Sequence, residues 1–236
     1  MAPLSYDQKA PYHRIEKTLE INNMTADQKI KPRPSRKMRA ASRQPKASVE
    51  DKLLAAIQRL LEENKNFGTL SVEQLSSEAG LSRGTFYFHF KDKNDLVVRL
   101  VEYLTDQLVA GLGNWGLGLD WASKEDVNQA VEGVVRCLYE HRAIVVAIRD
   151  TMSGDPEIRQ LYENMIMQIS FRAQESVGKV LARGDAREGM SKNIGNTLTW
   201  IVALCSNDIV DRGSEEELEE LIKNLQFICV STIFRD

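Results

Sequence analysis

From Ser48 onward, apolar residues recur at intervals of three and four, the spacing of amphipathic helices. Val49, Leu53, Ala56, Ile57, Leu60 and Leu61 form a first stripe, with Ser48 as cap and Glu50 and Asp51 near the positive helix end; this helix is expected to reach about Asn64. Val72, Leu75 and Ala79 make a short second helix capped by Ser71, and a third is expected over Arg83–His89, capped by Ser82. Asp92, with Asp95 three residues on, caps a long helix whose stripe is Leu96, Leu100, Leu104 and Leu108, with Val97 and Val101 beside it. Gly111, Gly113, Gly116 and Gly118 then interrupt the pattern.

Ser123 with Asp126 restarts it, and Val127, Ala130, Val131, Val134 and Leu138 face one way. A short apolar piece over Ala143–Ile148 follows. Asp155-Pro156 opens a long helix to about Leu181, with Leu161, Met165, Ile169, Ala173, Val177 and Val180 in phase. The last two helices are expected over Lys192–Asp211, with Ile194, Leu198, Ile201, Cys205 and Ile209 on one side, and over Glu215–Ile233. The second of these carries more apolar positions than one intramolecular face needs. No stretch alternates as a strand does, and there is no internal repeat. The pattern is all-α.

Residues 71–96 carry a more specific signal. Gly80 ends the second helix, where a residue without Cβ can take the left-handed conformation, and Leu81 follows as an apolar plug. Two short helices joined by a three-residue turn containing Gly form a helix-turn-helix. Its second helix bears Arg83, Thr85, Tyr87 and His89, all hydrogen-bond donors, around an anchor at Phe86, a mix that suits phosphates and base edges in a major groove. Ser71 can add a phosphate contact at the N-terminus of the preceding helix.

The run Ala79-Gly80-Leu81-Ser82-Arg83-Gly84-Thr85-Phe86-Tyr87-Phe88-His89-Phe90, followed by Lys91-Asp92-Lys93, resembles the DNA-binding motif of the tetracycline-repressor (TetR) family, and most of all its ethionamide-regulator-like branch. The resemblance is specific over about residues 48–104; beyond that it rests on helix number and length. It implies about nine helices: an N-terminal three-helix helix-turn-helix DNA-binding domain over 48–92, and a C-terminal helical ligand-binding and dimerisation domain over 93–236. It implies that the first helix lends its N-terminus, at Ser48, to a phosphate. Arg83, Gly84, Thr85, Tyr87 and His89 are then expected at the groove, with Tyr87, His89 and Lys93 gripping phosphates. Phe86 and Phe90 are expected in the core. Phe88 could touch a thymine methyl or stand as an exposed aromatic.

The same resemblance implies a homodimer through the last two helices. Physical reasoning points the same way, because two helix-turn-helix units related by a two-fold axis read a palindromic operator in double-stranded DNA. It further implies a small apolar or aromatic effector held between the long helices. Candidates for that pocket are Trp115, Trp121, Tyr139, Met152, Tyr162, Met165, Ile169, Trp200 and Cys229. Arg149 and Asp150 could anchor a polar group of the effector or pair on the surface. A repressor released by its effector is the expected function; the alternative is a nucleoid-associated or nucleoid-occlusion protein of the same fold.

Composition sharpens these expectations. The chain has 236 residues, 42% hydrophobic and 28% charged, as globular proteins do. No apolar run approaches the ~20 residues of a membrane span, and no signal-peptide core opens the chain, so a cytoplasmic protein is expected. The net charge of −3 hides an asymmetry: Lys29, Lys31, Arg33, Arg36, Lys37, Arg39, Arg43 and Lys46 contribute +8 without an acid between them, leaving −11 for the rest. Residues 1–47 hold five of the six prolines and little apolar periodicity, and read as a disordered basic extension. It is either an arm that tracks phosphates or a solvated leader, and Met24 offers a second start that keeps the basic segment. Cys137, Cys205 and Cys229 are unpaired in spacing and read as buried free thiols, and three scattered histidines suggest no metal. No cofactor is expected. Glu-x-x-His pairs, phosphate loops and nucleophile motifs are missing from the sequence, which disfavours an enzyme.

Overall fold

The computed structural model describes residues 48–235, and the basic segment at 1–47 lies outside the described residues. Within that range the fold is helical: α1 (Val49–Glu62), α2 (Val72–Glu78), α3 (Arg83–His89), α4 (Lys93–Gly111), α5 (Lys124–Glu140), α6 (Arg142–Met152), α7 (Pro156–Ala182), α8 (Ile194–Arg212) and α9 (Glu215–Ile233). Short 3-10 turns stand at Phe67–Thr69 and Trp115–Leu117. A single antiparallel bridge, Ala186 to Phe234, is the extent of β-pairing among the described residues.

Local chemistry sets most boundaries. Ser48, Ser71, Ser123 and Ser214 each close a capping box with the third residue of their helix, satisfying two backbone donors at once. Asp92 and Asp155 cap α4 and α7 through their carboxylates. The piece expected over Ala143–Ile148 extends on both sides to Arg142–Met152, since no Gly or Pro intervenes before Gly154.

Helices α1–α3 bury Leu53, Ile57, Leu60, Leu75, Phe86 and Phe90, which are continuous with the core of the later helices. Burying each of these side chains is worth about 1.5–3 kcal/mol. Arg59 fastens α1 to α2, donating to the Glu78 carboxylate at 2.5 Å and to its carbonyl at 2.8 Å.

The remaining helices pack around α4, which touches α5, α6 and α7 along Leu96, Leu100, Leu104 and Leu108. Helices α4 and α5 cross at Gly111 and Gly133, where a Cβ on Gly111 would lie 3.1 Å from the Gly133 carbonyl. Arg136 ties α5 to α9, bonding Glu132 at 2.9 Å and Glu215 at 3.4 Å, and also Glu219. Helices α7 and α8 pack closely side by side, and α9 lies on α5.

Helix α8 departs from the expected phase. Its inward positions are Leu198, Val202, Ser206 and Val210, whereas Cys205 and Leu204 are exposed and Ile201 and Ile209 are partly so. The helix is apolar nearly all round, so periodicity alone does not choose its inner face. The expectation of three buried thiols is corrected accordingly: Cys137 and Cys229 are buried, and Cys205 is exposed.

Candidate nucleic-acid interface and effector cavity

The turn between α2 and α3 follows from its residues. Gly80 takes φ 65°, and the Leu81 N–H donates back to the Ser76 carbonyl at 2.8 Å, closing the end of α2. Ser82 then accepts from the Thr85 N–H at 3.0 Å and starts α3. Phe86 and Phe90 fix this helix from within, their ring centroids 5.3 Å apart and both side chains fully buried.

The opposite face of α3 is open. Phe88 is 85% exposed and Tyr87 46%, with Arg83, Gly84 and His89 exposed beside them. Arg83 lies over the Tyr87 ring, 5.5 Å from its centroid, which holds the guanidinium along the outer surface. Thr85 is half-buried and shares a 2.8 Å hydrogen bond with the Ser82 hydroxyl. A Cβ on Gly84 would meet only Ser82 Oγ, at 3.7 Å. Internal packing therefore does not demand glycine there. Ser48 and Ser71 are exposed caps whose oxygens accept Asp51 N–H at 3.0 Å and Gln74 N–H at 3.2 Å, so each hydroxyl proton is left to donate outward.

Lys93 stands apart from this group. Its Nζ donates to the carbonyls of Phe67 (3.1 Å), Gly68 (2.8 Å) and Leu70 (3.0 Å), and lies 5.0 Å from the centre of the Phe67 ring. An ammonium has three donors, and all three are used. Burial pulls its pKa below the usual lysine value, while the Asp150 charge opposes that shift. Where the sequence suggested a phosphate grip, Lys93 in this structure clamps the turn between α1 and α2 through that turn's carbonyls. Asp150, left open between two roles by the sequence, accepts from the Phe67 N–H at 3.1 Å. Asn94 reaches Asp155 at 2.5 Å, a second tie between the start of α4 and the C-terminal helices.

A cavity of about 90 Å³ runs between α4, α5, α7, α8 and α9. Of the nine expected pocket residues, Trp115, Tyr162, Met165, Ile169 and Cys229 line it. The other four do not. Trp121 is 63% exposed in a separate open groove with Arg183 and Phe234, and Trp200 points outward from α8. Tyr139 is half-buried against Arg142, whose guanidinium is 5.2 Å from its ring centre, and Met152 packs at the end of α6. The sequence reading missed the aliphatic majority of the wall, such as Leu104, Val131 and Val202, and also Thr199, Ser206 and Asn207. Only the phase of α8 could have revealed those three. The described lining carries no charged side chain.

A third surface is apolar and outward. Met167 and Phe171 on α7, Trp200 and Leu204 on α8, and Phe227 and Ile228 on α9 are all substantially exposed. Scattered exposed apolar residues are ordinary, but six large ones on three neighbouring helices are not. Among the described residues no helix is long and apolar enough to cross a membrane, and no group of His, Cys, Asp and Glu is placed to hold a metal.

Comparison with known proteins agrees with this geometry. Residues 53–100 match the model for bacterial regulatory proteins of the tetR family. The chain is 25% identical over 217 residues to the HTH-type transcriptional regulator EthR of Mycolicibacterium smegmatis, a match covering 89% of this chain and 95% of the relative. Among solved structures, the TetR family transcriptional regulator PfmR of Thermus thermophilus superposes with a TM-score of 0.64 at 19% identity, covering 80% of this chain and all of that one. SmeT, the repressor of a Stenotrophomonas maltophilia multidrug efflux pump, gives 0.63 at 16% identity, covering 81% and 92%. Residues 53–100 thus carry the helix-turn-helix of the tetR-family regulators, and the described chain as a whole has the fold of solved members of that family.

Proposed function

We propose that this regulator is a repressor, binding a palindromic operator as a homodimer and released by a small apolar effector. Residues 48–92 are the reading head and 93–236 the effector-binding and dimerisation part. Arg83, Gly84, Thr85, Tyr87, Phe88 and His89 meet the groove, with Ser48 and Ser71 on flanking phosphates; the protein works in the cytoplasm and catalyses no reaction. The observation that carries this reading is the exposed, donor-rich face of α3, braced on buried Phe86 and Phe90. Lys93 supports the head from behind.

The dimer rests on the outward apolar face of α8 and α9, with Met167 and Phe171 of α7 extending it. A second copy satisfies that face isologously and sets two α3 helices about one DNA turn apart, roughly 34–36 Å. The effector enters the uncharged cavity. A footprint of the full chain on its own upstream DNA tests the reading. The expected result is one protected two-fold site, lost in Arg83→Ala; binding at many chromosomal positions away from promoters would instead make it an architectural protein.

A further inference from the structure

The cavity wall is almost wholly hydrocarbon, which makes its few polar groups informative. Thr199 and Ser206 donate to carbonyls of their own helix, Gly195 at 2.8 Å and Val202 at 2.7 Å. Their protons are spent. The Tyr162 hydroxyl and the Asn207 carboxamide also border the cavity, and no described residue bonds either of them. Both residues are half-buried, and each keeps an unspent polar group on the wall of an apolar cavity, where a ligand's polar end can meet it.

These two groups lie at the same level. Gly195, near the start of α8, is so close to α7 that a Cβ there would sit 2.7 Å from Gln174 N. Helices α7 and α8 form a hairpin through residues 183–193 and therefore run antiparallel. Twelve residues up α8 from Gly195 is Asn207, and twelve back along α7 from Gln174 is Tyr162. At about 1.5 Å per residue, both stand about 18 Å from the Gly195 crossing. The other end of the cavity is marked by Trp115 and Val177, Trp115 being held there by the Ser176 hydroxyl on its carbonyl. Tyr162 to Val177 spans roughly 22 Å along α7. A volume of about 90 Å³ over such a length is a narrow channel.

Resting on the effector reading above, we infer that Tyr162 and Asn207 form a head-group site for an uncharged amide at the end of a slender aliphatic chain. The Tyr162 hydroxyl donates to the amide carbonyl. Asn207 is complementary to an amide, its Oδ1 accepting the ligand N–H and its Nδ2 donating to the carbonyl. The channel below is apolar and takes the tail. A carboxylate is disfavoured, because no described cation lines the wall to compensate its desolvation. The head site also falls at the end of α7 nearest the reading head, where Asp155 holds Asn94 of α4, and beside Val145 of α6. Occupancy there reaches both helices that touch the DNA-binding domain.

The test uses the full chain and three probes of equal length: dodecanamide, dodecanoate and dodecane, each followed by quenching of tryptophan fluorescence. The amide is expected to bind at least tenfold more tightly than either of the others. Tyr162→Phe and Asn207→Leu should each weaken the amide about five- to tenfold, the worth of one hydrogen bond, and leave dodecane unchanged, which shows the channel intact. Equal affinity for amide and alkane, tighter binding of the acid, or equal losses for both probes in the variants would overturn the site. Amide binding that leaves operator affinity unaltered would uphold the site and overturn the effector reading instead.

Discussion

The backbone N–H of Phe67 donates to the Asp150 carboxylate at 3.1 Å, bridging 83 residues of sequence and joining the DNA-binding domain to α6. Lys93 clamps the same turn from the other side through three carbonyls. The turn at Phe67–Thr69 is thus held between the start of α4 and the end of α6, both of which also touch the helices around the cavity.

Removing the carboxylate breaks that link. Asp150→Ala strands a buried backbone donor and should cost roughly 1–3 kcal/mol of folding stability. Asp150→Asn keeps an acceptor and should cost less. Urea unfolding measures both, and identical midpoints for the two variants and the wild type would show that the bond contributes nothing.

Arg83 and Lys93, ten residues apart in the sequence motif, should separate cleanly in experiment. Arg83→Ala leaves the fold intact, since its side chain is exposed, and should lower operator affinity by about 1–3 kcal/mol. Lys93→Ala leaves three carbonyls without their cation and should lower the melting temperature, while the salt slope of DNA binding stays constant because no phosphate contact is lost. Melting curves paired with salt titrations decide it. A slope flattened by about one unit in Lys93→Ala would return that residue to the phosphate backbone.

Phe227 is 73% exposed on α9 and belongs to the apolar face assigned to the dimer. Phe227→Glu places a charge where a second copy would desolvate it, so the dimer should weaken at least tenfold with helix content unchanged. Sedimentation velocity over a concentration series reads this out. A variant that dimerises as tightly as the wild type would remove α9 from the interface.

The thiols give a check on burial. Burial pushes Cys137 up to about 11 and Cys229 up to about 12, with the nearby Glu140 charge adding to the first. At pH 8 both stay protonated in the folded chain, and only the thiolate reacts. In Cys205→Ser, therefore, alkylation should be slow until denaturant is added, when two thiols label together. A fast-labelling thiol in the folded variant would mean that one of these two helices opens.

What the sequence discloses is what neighbours in the chain decide. Caps such as Ser123 with Asp126 act within one turn of helix, and Phe86 and Phe90 announce themselves by spacing. The internal bonds of Lys93 are not legible because its partners at Phe67, Gly68 and Leu70 lie more than twenty residues away, and nothing local tells a clamp from a phosphate contact. Trp200 was misplaced for a different reason. It follows Thr199, which borders the cavity, and one helical step of about 100° turns it to the outside. On a helix apolar all round, the pattern does not choose between those faces. Asn207 was missed by the same ambiguity.

The crossing of α4 and α5 gives a stability prediction with its own control. Gly133 faces Gly111 so closely that an added Cβ would enter the contact distance of the Gly111 carbonyl oxygen, which is backbone and has nowhere to move without parting the helices. Gly133→Ala gains roughly 0.5–1 kcal/mol in helix preference but should lose more, about 1–3 kcal/mol, to the forced separation. Gly178, within α7, meets nothing within 4 Å at the same test position. Gly178→Ala has the helix gain without the clash and should raise stability by roughly 0.5–1 kcal/mol. Chemical denaturation of the two variants should therefore shift in opposite directions. Parallel shifts would mean that α4 and α5 stand further apart than the Gly111–Gly133 crossing requires, and the narrow cavity beside them would be wider too.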